Sequence, residues 1–280
     1  MTADTKSTAP SQDTPHKIVI EAEAFAVEPQ ALAFATRMAA PIGARLVGCF
    51  VENQALMDLS DLPFASEVSA SGSVRPLERE RLIREWQGQA KQAENALATA
   101  AVSAGLEWGF EVRRGKPLFS MLDVADREDV IVLNAVGRLT AASDVTKAVH
   151  AATHDIRADV LLTGRAPQNS RGAWVEPNTT LVVLDDMTSR GEACCHVAEA
   201  LALKAGMNCI PLRPQNLDLQ EVADLVRRLS PNLVIADSAS KLFAKDDDVT
   251  KFSKAAGCPL FLLGSERGLT GSQGPTDQTS

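Results

Sequence analysis

Asp129-Val130-Ile131-Val132-Leu133-Asn134-Ala135-Val136-Gly137 decides how the rest of the chain is read. Its first five residues are a short apolar run rich in β-branched side chains. Such a run reads as a strand buried on both faces. Asn134 to Gly137 then reads as a polar, glycine-bearing turn. Beyond it Val145, Ala148, Val149, Ala152 and Ile156 recur at helical spacing. Asp159-Val160-Leu161-Leu162-Thr163 is a second buried strand. Strand, turn, helix and strand make a βαβ unit, and its first turn lies where ligands of open α/β sheets bind.

Working toward the N-terminus, the spacing predicts strands at 17–20 and 45–51, with a helix from Pro29 between them. Leu32, Ala35, Met38 and Ile42 form the inner stripe of that helix. A long helix follows from Pro76 to Ala104, with Ile83, Trp86, Ala90, Ala93, Leu97 and Ala101 inward. The connection 52–75 carries Leu56, Met57, Leu59, Leu62, Phe64 and Val68 among polar residues. Connections of this length are uncommon and are usually functional or mobile. This flap either packs its apolar side on the sheet edge or offers a surface to a protein partner or second protomer.

Toward the C-terminus the pattern restarts. Strands are expected at 180–184, 208–212, 233–236 and 259–263, separated by helices. Asp218-x-x-Glu221 has the form of a capping box. Ile18 to Leu46 and Leu181 to Cys209 are equally far apart along the chain, which points to an internal repeat. Leu46 to Val130 is much longer than Cys209 to Leu233. The second copy therefore lacks the flap, the long helix and one strand.

Net charge is −8, which indicates neither a nucleic-acid surface nor a polybasic membrane patch. No apolar run is long enough to span a bilayer. Residues 1–16 have no apolar segment of a secretory signal. Five cysteines in 280 residues are not a disulfide framework, so the cytoplasm is expected.

Lys17-Ile18-Val19-Ile20, Gly43-Ala44-Arg45-Leu46-Val47, the long helix, the stretch 129–137 and Ala158-Asp159-Val160-Leu161-Leu162 together resemble the universal stress protein family. The resemblance implies an α/β fold of doubly wound parallel sheets, as tandem universal-stress-protein-like (adenine nucleotide alpha hydrolase-like) domains. Residues 17–164 would be one domain and 179–264 a shortened second. A linker at 165–178 would join them, with disordered tails at 1–16 and 265–280. It also implies the strand order 3-2-1-4-5 and dimers joined along the last strand. The strand lost from the second copy is then an edge strand, and the chain is a homo-oligomer or an internal pseudo-dimer.

Family members that bind ATP carry Gly-x2-Gly-x9-Gly-Ser/Thr after the fourth strand. Backbone N–H groups there hold phosphates. Here Asn134 stands at the first glycine, Gly137 keeps the second, and the third is absent. Its place falls at Ala142-Ser143 or at Thr146-Lys147. Losing two hydrogen bonds to a charged group would cost on the order of 3–6 kcal/mol. By the same resemblance the acid that holds adenosine falls at Glu23, or at Asp185 in the repeat. The degraded site residues are thus Glu23, Asn134, Gly137, Ser143 and Asp185, with ATP or another adenine nucleotide as the ligand they would take.

Other groups have simpler readings beside functional ones. Glu21 with Glu23, and Asp185 with Asp186, are solvated strand ends or binders of a cation or ribose. Cys194-Cys195 are packed thiols or a vicinal redox pair. His150 and His154, four apart, resemble a helical metal pair without a third ligand. No nucleophile elbow, Walker loop or zinc spacing occurs. The sequence therefore favours a non-catalytic regulatory or stress-response module. An adenine-nucleotide sensor and an enzyme using the paired acids are its rivals.

Overall fold

The structure is a computed structural model that describes residues 17–22, 29–69, 71–134, 142–163, 179–245 and 247–264. The expected tails and linker lie outside these residues. The apolar runs form β1 (Lys17–Glu21), β2 (Arg45–Asn53), β6 (Val130–Asn134) and β7 (Asp159–Thr163). With β5 (Trp108–Gly115) they make five parallel strands in the order β5-β2-β1-β6-β7. This is the 3-2-1-4-5 order that the resemblance implies.

The C-terminal runs form β8 (Thr180–Leu184), β9 (Asn208–Leu212), β10 (Leu233–Asp237) and β11 (Leu260–Leu263). They are parallel to one another in the order β11-β10-β8-β9. Among the described residues no strand lies outside β9, the place of the edge strand that the shortened-copy expectation leaves out. Sheets expected as two are hydrogen-bonded into one of nine strands. Its single antiparallel pair is β7 with β11, where Leu162 opposes Leu260, Leu161 opposes Phe261 and Val160 opposes Leu262.

Helices cover both faces, as a parallel sheet requires. On one face lie α1 (Pro29–Ile42), α3 (Arg79–Ser103) and α6 (Ser189–Ala205), packing Phe34, Met38, Trp86, Leu97 and Leu201 on Ile18, Leu161 and Phe261. On the other lie α4 (Pro117–Leu122), α5 (Ala142–His150), α7 (Leu219–Leu229) and α8 (Asp248–Ala256). They pack Met121, Val149, Val226 and Phe252 on Val19, Val160 and Leu262. The alternation along each strand follows the two-residue period of the pleat. A π-helical turn, Ala151–Ile156, extends α5, and Arg157 at φ 61° closes it.

The flap is more regular than its composition suggests. It holds α2 (Gln54–Ser60) and a hairpin of β3 (Ser66–Val68) and β4 (Val74–Pro76). The long helix starts at Arg79, because Pro76 belongs to β4. Met57 is buried, whereas Phe64, Val68 and Val74 are 78%, 69% and 70% exposed. Only part of the flap's apolar side therefore covers the sheet.

The seam between the two runs has little room. A Cβ on Gly264 would sit 2.1 Å from the Ala158 carbonyl oxygen and 2.7 Å from Thr153 Cα. The Gly264 N–H donates to the buried carboxylate of Asp159 at 3.0 Å. Replacing Asp159 by Ala would leave that N–H unpaired, at about 1–3 kcal/mol. Gly264→Val should destabilise at least as much, since a backbone carbonyl cannot move aside cheaply. Chemical unfolding of both variants checks this. A midpoint equal to that of the parent chain in either case would show that the seam is not tightly packed there.

Candidate functional site

The strand C-termini of the second run converge on a concave surface. Its elements are the ends of β8 and β10, the β9–α7 loop, a 3-10 turn (Lys241–Phe243) and α8. The cavity measures about 620 Å³. This falls within the range of about 300–1,000 Å³ usual for small-ligand pockets. It lies where the strand order reverses, as expected for an open α/β sheet.

Asp185 ends β8 and is buried. Its Oδ1 accepts from the Met187 N–H at 2.9 Å and its Oδ2 from Arg213 Nε at 2.9 Å. The Met187 N–H, then Arg213, hold its carboxyl below the usual carboxylate range, with burial working in the opposite direction. Asp186 accepts from the Thr188 hydroxyl at 2.6 Å and from its N–H at 3.2 Å. Thr188 in turn caps α6 by accepting from the Gly191 N–H at 3.0 Å. A Cβ on Gly191 would meet Asp186 Oδ1 at 2.5 Å, so this turn needs glycine there.

Asp237 ends β10. Its Oδ1 accepts from Arg190 Nε at 2.7 Å and from the Ala239 N–H at 3.1 Å. Arg190 also donates to the Leu263 carbonyl at 3.0 Å. The chain's own guanidinium thus bridges the ends of β10 and β11. Sequence reasoning missed Arg190 and Arg213. A cation in the first turn of a helix opposes the helix dipole, and at Arg190 that was a readable signal. Nothing local marked Arg213.

Among the described residues the cavity is lined by four carboxylates, Asp185, Asp186, Asp218 and Asp248, and three ammonium groups, Lys241, Lys245 and Lys251. Asp218 is held in the capping box of α7, and Asp248 accepts from the Lys245 N–H at 2.9 Å. The acids therefore organise backbone turns, and the lining carries no excess of positive charge for a polyphosphate. Among the described residues no group of three or more His, Cys, Asp or Glu side chains could hold a metal ion. No helix among them is long and apolar enough to cross a membrane.

Of the five site residues expected from sequence, Asn134, Ser143 and Asp185 lie among the described residues. Asp185 lies in the second run. Asn134 closes β6 opposite Thr163, and Ser143 is exposed on α5, both in the first run. Glu23 and Gly137 lie outside the described residues. His150 and His154 stack with ring centroids 4.3 Å apart and planes 5° from parallel. Rings held face to face do not aim two nitrogens at one tetrahedral centre. Buried Asp129 lies at the opposite end of the strands and accepts from the Lys17 and Asp126 N–H groups. Burial, acting against those donors, raises its carboxyl above the usual range.

Cys194 is buried and Cys195 half-buried. Burial pushes both thiols up, Cys195 to about 11. A neutral buried thiol is a poor nucleophile. In the folded protein at about pH 7.5 a thiol reagent should label Cys194 and Cys195 far more slowly than a free thiol. Rapid labelling of the pair would restore the redox reading.

The lowered carboxyl of Asp185 gives a pH signature with a definite sign. Its stabilisation is fully present above the unfolded carboxylate value and is lost as pH falls through the lowered folded value. Asp185→Asn should cost about 1–3 kcal/mol near neutral pH. The gap to the parent chain should close below about pH 4. Thermal melts across that interval check the sign, and a gap that widens in acid would contradict it.

No family model matches the sequence, and no curated protein matches it. Solved structures do. A universal stress protein from Archaeoglobus fulgidus DSM 4304 aligns over 90% of this chain and 97% of its own, with TM-score 0.57 and 11% identity. The cytoplasmic domain of a prokaryotic cation chloride cotransporter aligns over 91% of this chain and 98% of its own, with TM-score 0.50 and 10% identity. At these identities the likeness shows the fold: a mixed α/β architecture with a large, mostly parallel sheet, as in the universal stress protein.

Proposed function

We propose that this chain is a non-catalytic regulatory module of the universal stress type. It holds two copies of the unit, the second shortened by an edge strand, acting as an internal pseudo-dimer. The observation that carries the reading is the state of the strand ends in the second run. Asp185 and Asp237, the acids closing β8 and β10, are engaged by Arg213 and Arg190 of the same chain. Any ligand that used these carboxylates would have to share each with an ion pair and a backbone hydrogen bond already in place. The antiparallel β7–β11 pair supports the pseudo-dimer. The free thiols suit the reducing cytoplasm. The exposed Phe64, Val68 and Val74 support the flap as a contact surface for another protein chain.

A second reading, an adenine-nucleotide sensor with unconventional contacts, is favoured by the size and place of the 620 Å³ cavity. Calorimetric titration of the full chain with ATP and magnesium separates the two. The module reading expects a dissociation constant no tighter than about 1 mM. A low-micromolar constant would instead establish the sensor. Loss of that binding on Gly137→Val would place it in the first copy, and loss on Lys251→Ala in the second.

A further inference from the structure

A second cavity lies at the boundary between the two runs of strands. One wall is the end of α5 with its π-helical turn. The other is the loop after β10, the 3-10 turn and the start of α8. Its volume is about 710 Å³, again that of a small-ligand pocket.

Its charge is opposite in character to that of the strand-end cavity. Lys147 enters from α5, and Lys241 and Lys245 from the other wall. His150 and His154 add two stacked imidazoles from the π-helical side. Among the described residues the one carboxylate in the lining is Asp155. Three ammonium groups against one carboxylate are a local reversal in a chain of net charge −8. Lysines on two facing walls offer point charges suited to phosphate. The floor between them is apolar, with buried Val149, Phe243 and Val249.

We propose that this groove binds a small organic phosphate, its phosphate held by Lys147, Lys241 and Lys245 and its apolar body lying on Val149, Phe243 and Val249. The two histidine rings supply N–H donors and a flat face at the rim. Such a site needs both runs at once, because each supplies one wall. It is separate from the strand-end cavity, although Lys241 and Lys245 line both. Lys147 belongs to the groove alone and Lys251 to the strand-end cavity alone.

That division sets the test. The full chain is titrated with phenyl phosphate and, separately, with inorganic phosphate. The ring protons of His150 and His154 are followed by NMR. Phenyl phosphate should shift both saturably and bind more tightly than inorganic phosphate, because only it reaches the apolar floor. Lys147→Ala, an exposed substitution, should weaken binding by about tenfold, and Lys251→Ala should leave it unchanged. The proposal is overturned if neither ring shifts, if Lys147→Ala has no effect, or if Lys251→Ala abolishes the response. Vesicles of phosphatidylglycerol supply the same phosphate chemistry on a lipid. Sedimentation with them that Lys147→Ala removes would make the occupant a headgroup and overturn the small-molecule assignment.

Discussion

The antiparallel pairing of β7 with β11 is the constraint on which the rest of the molecule depends. Each strand would otherwise be a sheet edge, apolar on both faces and unpaired along one side. Exposed apolar edges of this kind are templates for aggregation. Joined to each other, they become the centre of a nine-stranded sheet whose outer strands are β5 and β9. Those edges are of a different kind. β5 has exposed Arg113 and Arg114, and β9 carries Pro211, which cannot donate to a further strand. The Asp159–Gly264 hydrogen bond closes one end of the pairing, and the absent Cβ of Gly264 lets the backbones meet there.

The same pairing places the two cavities. The strand ends of the second run open on one that its own acids and arginines largely satisfy. The groove beside the seam gathers the cations that those acids do not engage. Lys241 and Lys245 stand on the wall between them, so local charge balance differs on its two sides. Fold alone does not decide which is used. What differs is the lining: acids mixed with lysines at the strand ends, and lysines with stacked histidines in the groove.

The sheet was legible in the sequence because strands buried on both faces leave an unmistakable apolar run. Val130–Leu133, Val160–Leu162 and Leu181–Leu184 all read this way. The capping box at Asp218 and Glu221 was legible too, because its partners are three residues apart. The flap hairpin was not. Its three-residue strands are too short for a period to register, and Val68 and Val74 face solvent. The site was the least legible part. Arg190 reaches Asp237 and Arg213 reaches Asp185 across 47 and 28 residues of sequence, and only the first-turn cation at Arg190 left a local mark. Glu23 and Gly137, on which the nucleotide expectation rested, fall outside the described residues.

The β7–β11 seam is an interface made within one polypeptide, and this changes its thermodynamics. Two separate chains joined along such strands would part on dilution, and their stability would depend on concentration. Here the second run is tethered to the first by the chain between Thr163 and Thr180. A short tether holds its partner at an effective concentration on the order of millimolar. Closing the seam is therefore a unimolecular step, as intact in one molecule as in many. The two runs are also free to differ in sequence, which a symmetric dimer of identical chains is not.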